Sequence, residues 1–225
     1  MDIPTLLQPY IEGGLSGLQF AQVSTYLDLL LRWNQKTNLT AIRDPQQIVT
    51  RHFGESFFLA GTLFGSESLQ LPDVLDLGSG AGFPAIPLLI YRPSVTITLV
   101  EAHHTKAVFL REVLRALQLH AEVRNVRAET LPDASAAIVT LRAVEKFDSI
   151  LPTAARLVRT AERNIGASVR LSVDCEGPFN GHGLALLVSS TQVPRAQQLL
   201  PNWRFLPPVP IPKSQNRVIQ LAEPS

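Results

Sequence analysis

The first 70 residues place hydrophobic side chains at helical spacing. Over residues 17–33 they recur at intervals of three, four and seven residues, which lays a single apolar stripe along one helix. This stripe consists of Phe20, Val23, Leu27, Leu30 and Leu31. Asp44, Pro45 and Gln47 then supply an N-cap, a first-turn proline and a capping-box partner for a second helix, IVTRHFGESFFLAGTLF. We therefore predict a helical extension over residues 1–70 that packs on the rest of the chain.

From Asp73 onward the pattern changes to short β-rich runs separated by helical stretches. The β-rich runs are DVLDLG, TITLVEA, AEVRNVRAE and AAIVTLRAV. Between the second and third lies the helical stretch KAVFLREVLRALQL, with Val108, Leu110, Val113, Leu114 and Leu117 on or near one face. This alternation indicates an α/β fold over residues 71–225, with a mostly parallel sheet and helices on both faces. Such sheets bind ligands at the carboxyl ends of their strands.

The composition is that of a folded protein with one α/β core and a modest extension. The chain has 225 residues, 45% of them hydrophobic, and its formal charge of +1 neither requires nor excludes a nucleic-acid partner. The single cysteine, Cys175, excludes an intrachain disulfide framework and a CxxC metal site. The first residues lack a basic segment followed by an apolar stretch, and Gly and Pro interrupt the longest apolar runs. We expect a soluble, cytoplasmic protein that acts away from membranes.

The first β-rich run ends in a glycine-rich turn. Asp76 precedes three alternating glycines, Gly78, Gly80 and Gly82, and Phe83 occupies the position where a dinucleotide-binding fingerprint has its third glycine. That difference disfavours NAD. An acidic residue two positions before glycines in strict alternation is typical of class I methyltransferases, in which the backbone approaches the methionine part of S-adenosylmethionine. We predict a Rossmann-like class I methyltransferase core that binds this cofactor.

Two further acidic positions fit a nucleoside. Glu101 ends the second run about 20 residues after the turn, the interval at which a carboxylate accepts hydrogen bonds from ribose hydroxyls, in NAD and S-adenosylmethionine sites alike. Ala128 and Glu129 follow the third run, where an adenine would lie against the sheet edge.

His103 and His104 are adjacent, and no Cys, His and Asp cluster nearby has ligand spacing, so we predict no metal site.

Several motifs together resemble those of the bacterial glucose-inhibited division protein B family. They are WNQKTNLTAIRDPQQIVTRHFGESF, DLGSGAGFPAIPL, LVEAHHTKAVFLREV, VRAE and LRAV, followed in the tail by GLALLVSS and VPIPKSQNRVI. Members of that family are methyltransferases of small-subunit ribosomal RNA that act on guanine N7. The resemblance implies a guanine in a loop of 16S ribosomal RNA as the target, with the RNA or the 30S particle as the partner. We expect the enzyme to be a monomer.

The resemblance also assigns site residues. For the cofactor it implies Gly78 and Phe83 beside the methionine and sugar portions. Near the ribose it implies Glu101, Ala102 and His103. Ala128 and Glu129 would flank the adenine. Arg142 would stand at the open end of the site. Asn38, Arg51 and His52 match the N-terminal motif that forms the wall of the substrate side.

The chemistry of this target explains why the sequence offers no obvious catalytic base. Guanine N7 carries a lone pair and no proton, so it attacks the sulfonium methyl directly, and the enzyme supplies alignment and exclusion of water. We interpret Arg142 as a positioner of phosphate or base. Because N7 lies in the deep, narrow groove of A-form RNA, a loop or a splayed base is the expected substrate. The basic side chains of the N-terminal helices that would face it are Arg32, Lys36, Arg43 and Arg51.

The chain departs from the family pattern in two places. Residues 159–182 read as extra or substituted sequence before Gly183 resumes the expected strand, and the usual lysine after that strand is absent. Within the segment, Val169, Leu171 and Val173 alternate with polar residues and predict a short strand or hairpin arm. Glu55 stands where the family commonly has aspartate.

Three alternatives stay open. The first is a non-catalytic module that binds S-adenosylmethionine or RNA, with its substrate side rebuilt by residues 159–182. The second is a methyltransferase of a small molecule, against which the RH and NLT motifs argue, because a small substrate would not need that wall. An NAD oxidoreductase is the most distant, since Phe83 interrupts the fingerprint.

Overall fold

In the computed structural model, residues 1–65, 71–142, 146–160 and 179–225 are described. The predicted strand around Val169, Leu171 and Val173 lies outside them. Each of the four β-rich runs forms a strand, and further strands follow in the tail. The strands are β1 (Val74–Leu77), β2 (Ile97–Val100), β3 (Glu122–Arg124), β4 (Ile138–Arg142), β5 (Gly183–Ser189), β6 (Trp203–Phe205), β7 (Val209–Pro210) and β8 (Arg217–Pro224).

The strands form a single sheet in the order β3-β2-β1-β4-β5-β8-β6, with β7 paired to β8. Strands β1 to β5 are parallel, and β6, β7 and β8 join antiparallel at the other end. The prediction of an α/β fold with a mostly parallel sheet is therefore confirmed. β1 lies between β2 and β4 in a register that pairs Asp76 with Leu99 and with Thr140. Consequently the glycine turn emerges at the centre of the carboxyl edge, where parallel sheets bind ligands.

Helices cover the sheet. They are α1 (Ile3–Leu7), α2 (Gly17–Asn34), α3 (Pro45–Ile48), α4 (Glu55–Phe64), α5 (Ala85–Tyr91), α6 (His104–Ala116), α7 (Phe147–Leu157) and α8 (Val193–Leu199). The apolar stripe of α2 faces inward as predicted, and Tyr26 extends it. Side chains of α2 and α4 share one apolar cluster with those of α5, α6 and β2, which fixes the N-terminal helices against the sheet.

The predicted inward face of α6 is wrong at one position. Val108 is 38% exposed, whereas Ala107 and Phe109 on either side of it are fully buried. The helix turns its face toward the bulky Phe109 ring, which contacts Trp33, and this rotation moves Val108 to the outside. Leu110, Val113, Leu114 and Leu117 are buried as predicted.

The helix predicted after Asp44 is interrupted. Asp44 caps α3 by accepting a hydrogen bond from the Gln47 N–H at 2.8 Å, as expected. However, residues Val49–Gly54 form a π-helical turn before α4 begins. Such wide turns inside helices frequently occur at functional sites. Here the turn contains Arg51 and His52.

Two absences apply to the described residues. None of their helices combines the length and the apolar character that crossing a bilayer requires. Among the same residues there is no cluster of three or more His, Cys, Asp or Glu side chains that could coordinate a metal ion.

Candidate functional site

The three glycines of the turn all adopt left-handed backbone conformations, with φ of 65° at Gly78, 54° at Gly80 and 90° at Gly82. Such angles are unstrained only for glycine. A Cβ atom added at Gly82 would lie 2.5 Å from the Tyr26 hydroxyl, so this glycine is needed for packing. A Cβ atom at Gly80 would meet only the Gly78 carbonyl, at 3.6 Å. The space beside Gly80 is therefore open to a ligand.

Asp76 is buried beneath the turn. Its Oδ1 accepts a hydrogen bond from the Thr140 hydroxyl at 2.6 Å, while its Oδ2 has no partner among the described residues. Burial raises the pKa of this carboxyl to about 6, against the opposing effect of the Thr140 and Ser79 hydrogen bonds. The side chain thus supports the turn from below, and its role toward a cofactor stays a prediction.

Glu101 holds the turn from the side. Its Oε2 accepts a hydrogen bond from the Gly80 N–H at 2.8 Å, and its Oε1 accepts one from the His103 N–H at 2.7 Å. A carboxylate has about four lone-pair sites, so both oxygens keep capacity for further donors. The carboxylate is therefore fixed in orientation and ready to accept hydrogen bonds from a pair of hydroxyls.

The other residues predicted near the nucleoside lie at neighbouring strand ends. Ala102 and His103 are exposed after β2, and Ala128 and Glu129 begin a short 3₁₀ turn after β3. Asn125 joins the two strand ends, because its Nδ2 donates to the Glu101 and Ala102 carbonyls at 2.8 and 3.0 Å. The structure thus brings these residues to one edge of the sheet.

A cleft of about 520 Å³ opens over the carboxyl end of β1. One wall is the glycine turn, and the opposite wall comes from the N-terminal helices and the loop between α2 and α3. Its lining residues are Asn38, Leu39, Thr40, Ala41, Ile42, Arg51, His52, Gly78, Ser79, Gly80, Ala81, Phe83, Lys106, Arg142 and Arg217. The three residues predicted for the substrate wall therefore face the residues predicted for the cofactor. Glu101, Ala102, His103, Ala128 and Glu129 lie beside this cleft rather than in its lining.

Phe83 lies in an aromatic cluster under the cleft. Its ring stacks on Tyr26 with a centroid distance of 5.2 Å and meets Phe53 edge-on at 5.0 Å. The His52 ring lies 4.9 Å from it. With only 6% of its surface exposed, Phe83 joins the turn to the N-terminal helices. The residue that interrupts the dinucleotide fingerprint is thus part of the packing that shapes the site.

Arg142 lies at the end of β4 with its side chain largely buried, and its Nε has no hydrogen-bond partner among the described residues. Its predicted place at the open end of the cofactor site stays a prediction. Its Nη2 donates to the Arg51 carbonyl at 2.7 Å and contacts Glu55 Oε2 at 3.2 Å. Arg217 reaches the same Glu55 oxygen at 3.1 Å. Side-chain exposures are 10% for Arg142, 16% for Arg217 and 4% for Glu55. One carboxylate therefore ties the ends of β4 and β8 to the π-helical turn.

Burial and the surrounding cations together determine the protonation state of His52. Burial, followed by the fields of Arg142, Arg51 and Arg217, lowers the pKa of His52 to about 2. The ring is therefore neutral at physiological pH. It lies between Arg142 on its Nδ1 side and the Thr40 hydroxyl on its Nε2 side.

Comparison with known proteins identifies the family. Residues 19–165 match the family model described as rRNA small subunit methyltransferase G, or GidB. The chain belongs to this family. The family resemblance carried by the sequence motifs is thereby confirmed, and the match ends within the segment 159–182 that was predicted to be atypical.

Two relatives illustrate the similarity. The ribosomal RNA small subunit methyltransferase G of Xanthomonas euvesicatoria is 42% identical over 146 residues, which are 62% of this chain and 64% of the relative. The protein of the same name from Chloroflexus aggregans is 37% identical over 166 residues, which are 71% of this chain and 68% of the relative. The match to the first relative thus spans less than two thirds of its length.

Solved structures share the fold at low sequence identity. Magnesium protoporphyrin IX methyltransferase from Synechocystis, with bound SAM, has a TM-score of 0.61 at 13% identity and covers 96% of this chain and 100% of that one. M. jannaschii TYW2 in complex with AdoMet has a TM-score of 0.54 at 14% identity, and the match covers 77% of this chain and 76% of that one. The predicted class I methyltransferase fold is confirmed.

Some residues of the site were not predicted from sequence. Glu55 was noted only as a departure from the family pattern, although its position directly after the RHFG stretch places it beside the predicted wall. Arg217 belongs to the tail motif that supported the resemblance, and Thr40 to the NLT motif. Tyr26, whose hydroxyl donates to the Ala81 carbonyl, is a polar group within an apolar stripe. That position was the available signal, because a buried hydroxyl needs a partner.

Proposed function

We propose that the protein is an S-adenosylmethionine-dependent methyltransferase that places a methyl group on N7 of a guanine in a loop of small-subunit (16S) ribosomal RNA. The observation that carries this proposal is that the glycine turn and the residues Asn38, Arg51 and His52 line one and the same cleft. Membership of the family supports the same substrate class.

In this proposal the cofactor lies along the carboxyl edge of the sheet. Its methionine part approaches Gly78 and Gly80, where the absence of a side chain leaves room. Its ribose hydroxyls donate to Glu101, whose carboxylate is held by backbone N–H groups. The adenine lies against Ala128 and Glu129, after β3.

The reaction needs no proton transfer before methylation. The N7 lone pair forms a bond to the methyl carbon, the carbon–sulfur bond breaks, and its electron pair stays on sulfur, which becomes a neutral thioether. The base becomes cationic. His52 is neutral and hydrogen-bonded on both ring nitrogens, which suits a role in shaping the wall. The protein's contribution is alignment of nucleophile, methyl and sulfur, together with exclusion of water.

Two cations at the cleft suit a phosphate backbone. Arg51 and Lys106 line it, and neither has an ion-pair partner within the part of the chain that the structure describes. Arg142 and Arg217, in contrast, are already neutralised in part by Glu55. RNA phosphates are therefore expected to contact Arg51 and Lys106. The proposed substrate is the 30S particle or its RNA in the cytoplasm. The proposed acting form is a monomer.

We expect Arg51→Ala to lower methyl transfer to small ribosomal subunits while leaving affinity for S-adenosylmethionine unchanged. Loss of one phosphate contact should weaken RNA binding and reduce the slope of log affinity against log salt by about 1. Steady-state kinetics at several salt concentrations, with calorimetry for the cofactor, measure both quantities.

The matched control is Arg115→Ala, which removes an exposed arginine at the far end of α6. It should behave like the parent protein. Equal activity and salt dependence of Arg51→Ala and the parent would remove Arg51 from the RNA interface.

A further inference from the structure

The hydrogen-bond pattern of His52 fixes which ring nitrogen carries the proton. Its Nδ1 lies 2.9 Å from Arg142 Nη2, and a guanidinium has donors only. A proton on Nδ1 would place two donors against each other, so Nδ1 presents its lone pair to Arg142. In the neutral ring the proton is then on Nε2, which lies 2.8 Å from the Thr40 hydroxyl. His52 therefore donates and Thr40 accepts.

This arrangement leaves the hydroxyl proton of Thr40 unused. The hydroxyl oxygen has two lone pairs, one facing His52 Nε2–H and the other accepting the Ile42 N–H at 3.2 Å. No acceptor for the hydroxyl proton is found among the residues that the structure describes. Thr40 lines the cleft on the wall opposite Gly78 and Gly80. Its oxygen is thus held by two protein contacts, and its O–H remains available as a donor at the wall of the cleft.

We propose that Thr40 is a specificity-determining residue whose hydroxyl donates a hydrogen bond to O6 of the target guanine, an inference that rests on the function proposed above. O6 is an acceptor on the same base edge as N7. Adenine presents an amino group at that position, so a fixed donor there repels adenine and accepts guanine. The contact also leaves the N7 lone pair free for the methyl group.

The first test compares Thr40→Val with Thr40→Ser. Valine keeps the shape of threonine and removes the hydroxyl, whereas serine keeps both the donor and the acceptor for His52. We expect Thr40→Val to lower kcat/KM for small ribosomal subunits by roughly tenfold to a hundredfold, with affinity for S-adenosylmethionine within about twofold of the parent. Thr40→Ser should recover most of that loss. A loss of cofactor affinity in Thr40→Val would overturn the proposal, because the hydroxyl would then face the cofactor.

The second test changes the substrate and leaves the parent protein intact, so it does not depend on the folding of a variant. The target guanine is replaced by 2-aminopurine, which keeps N7 and the 2-amino group but lacks O6 and the N1 proton. The parent should lose activity by a factor similar to that of Thr40→Val, and Thr40→Val should lose little more on the altered RNA. Losses that multiply would overturn the inference, since hydroxyl and O6 would then act independently. A parent that methylates no guanine at all would instead refute the proposed function, and this inference with it.

Discussion

Replacing Glu55 with alanine should lower the midpoint of thermal unfolding by roughly 6–20 °C. The variant leaves Arg142 and Arg217 buried beside each other without the carboxylate that both contact. Removal of one partner from a buried ion pair typically costs about 3–5 kcal/mol. In a chain of this size each kcal/mol corresponds to about 2–4 °C. Differential scanning calorimetry measures the shift.

Asp148→Ala is the matched control for this prediction. Asp148 pairs with Arg195 at 2.7 Å, but both side chains are at least half exposed, so the loss of this pair should move the midpoint by no more than about 4 °C. Similar shifts in the two variants would contradict the interpretation of Glu55 as the anchor between the sheet and the π-helical turn.

Gly80→Val should abolish measurable binding of S-adenosylmethionine. The valine side chain would occupy the open space beside the turn, and a β-branched residue is strained at a φ of 54°. Strain would also disturb the Gly80 N–H that positions Glu101. We expect no binding heat in isothermal titration calorimetry, which corresponds to a dissociation constant raised by at least about a hundredfold.

Gly14→Val separates strain from contact. Gly14 has a φ of 76°, and a Cβ atom there meets no other atom within 4 Å. This variant carries a comparable backbone strain outside the site and should bind the cofactor like the parent. Undiminished affinity in Gly80→Val would mean that the turn is only structural, whereas equal losses in both variants would assign the effect to folding.

The sheet and the glycine turn could be predicted because their signals are local. Each β-rich run from Asp73 to Arg142 became a strand, and the turn follows β1 directly. The prediction of the buried face of α6 was wrong at Val108. Periodicity alone allowed Val108 to be grouped with Leu110, whereas the burial of Phe109 sets the orientation of the helix. The π-helical turn could not be predicted from the pattern of hydrophobic and polar residues, because it changes the backbone hydrogen bonding without changing which residues are apolar.

The contacts that shape the site could not be derived from the sequence. Glu55 and Arg217 are separated by 162 positions and meet only because β8 returns beside β5, two places from β4 in the sheet. The proposed role of Thr40 depends on the tautomer of His52, which the contact with Arg142 at the end of β4 sets. Such coupling is a property of the folded arrangement. The sequence motifs of the family do not extend over residues 159–182. The prediction there used only the local alternation of apolar and polar residues.

The central claim is tested most directly by methyl transfer to the proposed substrate. Radiolabelled S-adenosylmethionine is incubated with the protein and with small ribosomal subunits from cells that lack the endogenous activity, and the RNA is then digested to nucleosides. We predict label in a single 7-methylguanosine from a loop. Absence of label from a protein that still binds S-adenosylmethionine, or label in a different nucleoside, would contradict the account.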